Sequence, residues 1–207
     1  MKRGTVILAA GDFPRAGGPA RRILESAVRV VCCDGAADAF RRAFRRAPDF
    51  TVGDLDSLAH RGPEAVLVAD QETNDLEKAV AFCRAHGWRN PVVVGAGGRR
   101  EDHTIGNVFR ALALDVELVT EYGRFFPLHG RRAFAVEIGA AVSVFAPDPE
   151  TRMTSKGLEW PLDGVRFDSL YRATLNRAAS RRITLMSDRP VSVFVESGKG
   201  ISYDRVH

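Results

Sequence analysis

The chain is poor in cysteine and in long apolar runs, and each shortage excludes a class of protein. Its three cysteines, two of them adjacent, form neither an even disulfide framework nor the spacing of a metal site. No stretch approaches the ~20 apolar residues that cross a bilayer. The apolar run at residues 5–10 is shorter than the apolar part of a secretory signal. We therefore expect a cytoplasmic protein with reduced cysteines.

The chain also lacks a large excess of charge of either sign. The net charge is +4, from 30 basic and 26 acidic residues, and lysine supplies only four of the basic ones. No basic run is interleaved with aromatic residues, so the sequence does not predict nucleic-acid binding. Hydrophobic residues make up 45% of the chain, which suffices for a buried core in one large domain or two small ones.

The first half alternates short apolar runs with helical patterns. This alternation predicts an α/β domain at residues 1–122 with a doubly wound, mainly parallel sheet. The predicted strands are 6–10, 28–33, 50–52, 65–69, 91–94 and 116–119, and the predicted helices are 20–27, 36–46, 74–87 and 103–114. The acidic and glycine-rich loops all follow strands, so we expect them at the carboxyl edge of the sheet, where α/β folds bind ligands.

The second half shows strand-like alternation and no helical period. We expect a smaller all-β sandwich domain at residues 123–207, joined to the first domain near residues 121–130. The predicted strands are 133–138, 141–145, 169–175, 181–186, 191–195 and 201–203.

Acidic residues cluster between Gly53 and Lys78. Asp54 and Asp56 are two positions apart on extended backbone, so they can point the same way and share a hard cation such as Mg²⁺. A simple polar turn is the alternative. Asn74 is predicted to cap a helix that carries Asp75 in its first turn and Lys78 one turn in. Carboxylates near an ammonium at a helix start are what a Mg²⁺-polyphosphate site requires.

A glycine-rich turn at residues 95–98 lies between a predicted strand and a predicted helix. Backbone N–H groups in such a turn can approach a phosphate, and Arg99 and Arg100 add charged partners beside it. Turn geometry alone is the alternative reason for the glycines. Asp102 is expected to be the N-cap of the helix that follows.

Three motifs, at residues 53–57, 72–79 and 95–103, resemble those of the thiamine pyrophosphokinase family in order and spacing. The resemblance implies transfer of a pyrophosphoryl group from ATP to the hydroxyl of thiamine, with Mg²⁺ required, giving thiamine diphosphate and AMP. It also implies an ATP-binding catalytic α/β domain and a thiamine-binding β-sandwich domain. Family members resemble one another in forming homodimers with the thiamine site at the subunit interface. No nucleic acid or membrane partner is implied.

The resemblance also implies residue roles. The metal would be held by Asp54, Asp56 and Asp75. The catalytic set would add Lys78, Arg100 and Asp102. The nucleotide would be bound by Asp34, Gln71, Asn74, Gly98 and Arg100. Thiamine would be bound by Trp160, Thr174 and Asn176.

Two positions depart from the family pattern. Leu175 stands where the family usually has a serine, and Arg99 stands where it has a glycine, so both bear on substrate detail. Trp160 has an alternative role as the central core residue of the sandwich. The alternative functions are a pyrophosphokinase for another alcohol, such as a hydroxymethylpterin, and a non-catalytic thiamine diphosphate or nucleotide sensor. A sensor would be expected to lack one of the metal carboxylates.

Overall fold

The chain folds into two compact units, Met1–Glu121 and Tyr122–His207. This computed structural model describes residues 3–56, 58–59, 61–70 and 72–197. The predicted strand at 201–203 therefore lies outside the described residues. Within the described ranges, no helix has the length and apolar character needed to cross a membrane.

The first unit is a parallel sheet with intervening helices. Its strands are β1 (Arg3–Leu8), β2 (Ala27–Cys33), β3 (Phe50–Gly53), β4 (Ala65–Leu67), β5 (Val92–Val94) and β6 (Glu117–Val119), and its helices are α1 (Pro19–Glu25), α2 (Ala36–Phe44), α3 (Asp75–Ala85) and α4 (Glu101–Ala113). The strand order is β6-β5-β1-β2-β3-β4, and every pair is parallel. The predicted parallel sheet is thereby confirmed. The order reverses between β1 and β5, which is where open α/β sheets bind ligands.

Local sequence explains why these elements form. The continuous apolar run of β1 is buried on both faces, with Val6 and Ile7 fully inaccessible, as expected for a central parallel strand. Helix α3 begins with the predicted capping box. The side chain of Asn74 accepts a hydrogen bond from the N–H of Glu77, and the carboxylate of Glu77 accepts one from the N–H of Asn74, both at 2.9 Å.

The second unit is an antiparallel sheet built on two long strands. Its strands are β7 (Gly123–Ala135), β8 (Ala141–Phe145), β9 (Met153–Lys156), β10 (Ala173–Arg177) and β11 (Arg182–Glu196). β7 and β11 pair along their full length across an irregularity between Ser187 and Val191. β8 pairs with one half of β11 and carries β10 at its other edge, while β9 pairs with the other half of β11. Buried side chains from all five strands form one hydrophobic core.

The boundary between the two units falls between Glu121 and Tyr122, and strand β7 begins at Gly123, with Phe126 and Leu128 buried in the core and paired with β11. The prediction of two separate strands at 181–186 and 191–195 was wrong. Both ranges belong to the single strand β11, which continues through the irregularity between Ser187 and Val191. Strand β9 was not predicted, because its sequence, Met-Thr-Ser-Lys, has only one apolar residue.

Candidate active site

Acidic side chains meet around Gly53 at the carboxyl end of β3. A Cβ atom at Gly53 would lie 2.9 Å from the Cβ of Asp34 and 3.2 Å from Oδ1 of Asp75. Asp34 follows β2, and Asp75 opens α3, so the parallel topology brings together residues about 40 positions apart. Asp54, next to Gly53, is close enough for its charge to act on Asp75. The glycine therefore lets Asp34 and Asp75 approach each other beside the segment that carries Asp54.

Burial and charge act on Asp75 in opposite directions. Burial is the main cause that raises the pKa of Asp75, and the negative charges of Asp34 and Asp54 raise that pKa further, while the ammonium of Lys78 lowers it. Lys78 Nζ lies 3.7 Å from Oδ1 of Asp75, and the lysine side chain is only 4% exposed. The positive charge of Lys78 thus balances part of the acidic cluster from inside the protein.

The residue types present, though not yet their arrangement, suit a hard cation. Carboxylate oxygens are the ligands that Mg²⁺ prefers, and this ion keeps several waters and takes further oxygens from substrate phosphates. Asp34, Asp54 and Asp75 supply such oxygens, and a cation among them would relieve the repulsion that raises the pKa of Asp75. Within the described ranges, no group of three or more His, Cys, Asp or Glu side chains is arranged to hold a metal ion, so oxygens of substrate phosphates and water would have to complete the site.

Asp56 lies apart from this cluster. Its side chain is 81% exposed, and its Oδ1 is 4.0 Å from a guanidinium nitrogen of Arg61. In this structure the side chain of Asp56 is exposed beside Arg61, and the carboxylate found with Asp75 around Gly53 is that of Asp34. A metal contact from Asp56 stays a prediction.

The glycine-rich turn after β5 is bonded to the loop after β1. The N–H of Gly11 donates to the carbonyl of Gly95, and the N–H of Asp12 donates to the carbonyl of Gly97, each at 2.8 Å. Gly98 has φ of +76°, and a Cβ there would overlap the carboxylate of Asp12. The glycine at this position thus serves the close approach of two loops at the strand-order reversal. Its predicted phosphate contact stays a prediction.

Arg100 and Asp102 form an exposed, forked ion pair. Nε of Arg100 donates to Oδ1 of Asp102 at 3.1 Å, and Nη2 donates to Oδ2 at 2.6 Å. This bonding lowers the pKa of Asp102. The expectation that Asp102 caps helix α4 was wrong: the helix begins at Glu101, so Arg100 occupies the N-cap position and Asp102 lies in the first turn. A phosphate bound by Arg100 would have to replace Asp102 as its partner.

Gln71 and Asn74 were also predicted to bind the nucleotide. Gln71 lies outside the described residues. The side-chain oxygen of Asn74 is engaged in the cap of helix α3. Their nucleotide contacts stay predictions.

The second unit has a cavity of about 350 Å³ beside Trp160. Trp160 is 53% exposed, so it is not the central core residue of this unit. All three residues predicted to bind thiamine line the same cavity. Its full lining is Trp160, Pro161, Leu162, Val165, Arg172, Ala173, Thr174, Leu175 and Asn176.

The three predicted thiamine ligands differ in their exposure and in their hydrogen bonds within the protein. Asn176 is only 5% exposed, and its side chain is bonded to the backbone of Trp160. The hydroxyl of Thr174 donates to the carbonyl of Tyr171 at 2.9 Å. Only Trp160 presents a largely exposed side chain, and the substrate contacts of the other two stay predictions.

Leu175 is exposed in an unusual backbone conformation. It has φ of +62°, and the residue is 84% exposed although it lines the cavity. Its N–H donates to the hydroxyl of Ser143 at 3.1 Å, at the point where the pairing of β10 with β8 shifts register. A branched residue in the left-handed region is uncommon, and such strain clusters at ligand sites.

Sequence reasoning missed several residues of both sites. The role of Gly53 could have been suspected, because a glycine that ends a strand among acidic residues permits close approach. Pro161, Leu162, Val165 and Arg172 line the cavity beside Trp160 without any periodic pattern that would signal it. Their position depends on how the irregular segment between β9 and β10 folds back.

Fold and site together define a two-unit α/β protein that gathers acidic side chains at the carboxyl edge of a parallel sheet. Residues 20–119 match the family profile described as thiamin pyrophosphokinase, catalytic domain, and residues 123–194 match the profile of its substrate-binding domain. The chain belongs to the thiamin pyrophosphokinase family.

Solved structures of similar fold carry the same family name. Thiamin pyrophosphokinase from Candida albicans superposes with a TM-score of 0.80 at 14% identity, over 94% of this chain and 89% of that one. The enzyme from Geobacillus thermodenitrificans gives 0.72 at 21% identity, over 95% and 98%. The yeast enzyme gives 0.74 at 14% identity, over 94% and 86%. At these identities the likeness extends to the fold.

A curated protein with a different name is also similar. Methionyl-tRNA formyltransferase from Rhizorhabdus wittichii is 27% identical over 196 residues. The match covers 79% of this chain and spans 64% of the length of that relative.

Proposed function

We propose that the chain catalyses the transfer of pyrophosphate from ATP to thiamine, giving thiamine diphosphate and AMP. The observation that carries the proposal is the gathering of Asp34, Asp54 and Asp75 around Gly53, with Lys78 buried against Asp75. The match of both halves of the chain to the two domains of one family supports the choice of substrate.

The first domain, residues 1–122, is proposed to bind ATP and hold Mg²⁺. Asp34, Asp54 and Asp75 supply carboxylate oxygens, and Asp56 joins them if its side chain turns away from Arg61. Bound there, Mg²⁺ would neutralise charge on the phosphates of ATP. Group transfer of this kind needs little covalent chemistry from the protein, since positioning and charge stabilisation do most of it.

Four residues of this domain complete the proposed nucleotide site. Arg100 would exchange its bond to Asp102 for a phosphate, which frees the Asp102 carboxylate beside the reacting groups. Gln71 and Asn74 are assigned to the nucleotide on the family resemblance.

The second domain, residues 123–207, is proposed to be a β-sandwich that binds thiamine. The exposed indole of Trp160 beside a cavity of about 350 Å³ suits a flat cationic ring, through stacking and cation–π attraction. Thr174 and Asn176 line the same cavity. A homodimer in the cytoplasm, with the thiamine site at the subunit interface, is part of the proposal on the same resemblance.

Other functions are less well supported. Residues 123–194 match the substrate-binding domain of thiamin pyrophosphokinase, and this match favours thiamine over a hydroxymethylpterin as the substrate. A non-catalytic sensor would not need the cluster of Asp34, Asp54 and Asp75. Formyl transfer, named for the Rhizorhabdus relative, has no specific observation in its favour.

The test is thiamine-dependent release of AMP. Purified protein is incubated with ATP and Mg²⁺, with thiamine, with hydroxymethylpterin or with neither alcohol, and AMP is measured. We expect AMP with thiamine only, and its loss on chelation of Mg²⁺. Trp160→Ala should weaken thiamine binding and leave ATP binding nearly intact, whereas Met186→Ala, at another exposed apolar residue of the same unit, should change neither. AMP release that ignores thiamine would refute the proposal.

A further inference from the structure

The segment that carries Trp160 combines an exposed ring with a firmly held backbone. The indole is 53% exposed, yet Leu158 and Leu162, two positions away on either side, are 7% and 3% exposed. Leu158 forms a bridge with Ala178, and the N–H of Glu159 donates to the carbonyl of Arg177 at 2.9 Å. The segment is thus held like a short strand along β10, with one aromatic side chain turned outward.

Asn176 holds this segment at Trp160 itself. Its Oδ1 accepts from the N–H of Trp160 at 3.2 Å, and its Nδ2 donates to the carbonyl of Trp160 at 2.7 Å. The same Oδ1 also accepts from the N–H of Arg177 at 2.8 Å. The amide therefore pairs with both backbone groups of Trp160, and its oxygen has no further acceptor capacity. Since Asn176 is nearly buried, these bonds are shielded from water.

A second side chain fixes the end of the segment. The hydroxyl of Ser155, in β9, accepts from the N–H of Leu162 at 2.9 Å. Trp160 is therefore held by hydrogen bonds from β10 and, two residues further on, by a hydrogen bond from β9. Rotation of the indole about its own side-chain bonds is the main freedom left to it.

We propose that Asn176 is a positioning residue that fixes Trp160 as a stacking platform for the flat, cationic ring of the substrate. The inference rests on the proposed function for the identity of that ring, and it revises the role expected from the sequence, in which Asn176 contacts thiamine itself. Its physical basis is preorganisation: a backbone ordered during folding need not be ordered again when the ligand binds.

The position of Trp160 can be tested without any substrate. In a Trp88→Phe background, which leaves Trp160 as the single tryptophan, time-resolved fluorescence anisotropy reports the motion of its indole. Asn176→Ala removes both bonds to the Trp160 backbone. Asn176→Asp keeps the acceptor and loses the donor to the Trp160 carbonyl, so it is the milder variant if alanine fails to fold.

We expect more fast indole motion in both Asn176 variants. Ser187→Ala is the matched control, because the buried hydroxyl of Ser187 also donates to a backbone carbonyl, that of Arg189 at 2.7 Å, in the same unit. It should leave the anisotropy of Trp160 unchanged. Unchanged anisotropy in the folded Asn176→Asp variant would overturn the proposal.

A double-mutant cycle then separates positioning from direct contact. Calorimetric titration with thiamine gives Kd for wild type, Asn176→Ala, Trp160→Ala and the double variant. Loss of stacking should raise Kd about 5- to 150-fold in Trp160→Ala. If Asn176 acts through Trp160, the double variant should match Trp160→Ala within about twofold. If the fold-increase in Kd of the double variant equals the product of the two single fold-increases, Asn176 contacts the ligand directly and the proposal is overturned.

The two experiments fail in different ways. Absence of thiamine binding by the wild type would refute the proposed function, while the anisotropy of Trp160 would still decide whether Asn176 positions it. A loss of indole order together with multiplied Kd values would show that Asn176 contacts the ligand as well, and would refute a purely positioning role.

Discussion

Replacing Gly53 by alanine should push apart the acidic residues of the candidate metal site. The added Cβ would lie 2.9 Å from the Cβ of Asp34, where ordinary contacts are 3.4–4 Å, and 3.2 Å from a carboxylate oxygen of Asp75. The first atom is next to the backbone and cannot swing away. Overpacking of this kind costs about 1–3 kcal/mol, while loss of glycine freedom in the unfolded chain gives back about 0.4–1 kcal/mol.

Gly4→Ala is the matched control for Gly53→Ala. Gly4 lies in β1 of the same sheet, and a Cβ there would have no atom within 4 Å. Only the unfolded-state gain applies, so Gly4→Ala should be slightly stabilising. The two alanine variants should therefore differ by about 1–3 kcal/mol in the free energy of unfolding.

Urea unfolding measures the stability difference, and a Mg²⁺ titration of AMP release measures the effect on the site. We expect Gly53→Ala to need more Mg²⁺ for half-maximal activity and Gly4→Ala to behave like wild type. Equal stability and an equal Mg²⁺ requirement in both variants would refute the reasoning that Gly53 lets Asp34 and Asp75 meet.

Three other predictions follow from the described residues. Asp75→Asn should lower kcat for AMP release by about 10²–10³ with the fold retained, and full turnover at saturating Mg²⁺ would exclude Asp75 from the site. Arg99→Gly should raise the free energy of unfolding by about 1 kcal/mol, because relief of the left-handed backbone at φ of +58° (about 1–3 kcal/mol) exceeds the entropy that glycine adds to the unfolded chain (about 0.4–1 kcal/mol); a lower urea midpoint would contradict this. The three cysteines are buried, and burial raises the pKa of Cys83 to about 12, so a thiol reagent at pH 8 should label none in native protein and all in denaturant, and native labelling would refute their burial.

The first unit was predictable because its signals are local. The central strands β1 and β5 carry continuous apolar runs, and helix α3 begins where Asn74 and Glu77 form a capping box that the sequence displays within four residues. The convergence of acidic loops could be inferred too, since parallel strands end at one edge. The partners of each acid could not, because Asp34 meets Asp75 through the tertiary approach that Gly53 permits.

The second unit was harder to predict because its pairing is non-local. Strand β9 has no alternating pattern and exists because β11 offers it an edge. The role of Asn176 also escaped the sequence, since an asparagine beside a substrate cavity and one bonded to a neighbouring loop look alike until the loop is in place. The prediction that Asp102 caps helix α4 failed for a similar reason, because the carboxylate of Asp102 bonds to the guanidinium of Arg100 instead.

The pairing of β7 with β11 has a consequence for the order of events on the ribosome. Gly123, the first residue of β7, pairs with Glu196, the last residue of β11. β8 and β9 also take their places against β11, so none of these strands has its full set of partners while the C-terminal segment is still being made. Contacts this distant along the chain form slowly. All strands of the first unit lie within Met1–Glu121, whereas the sheet of the second unit cannot be completed until synthesis has passed Glu196.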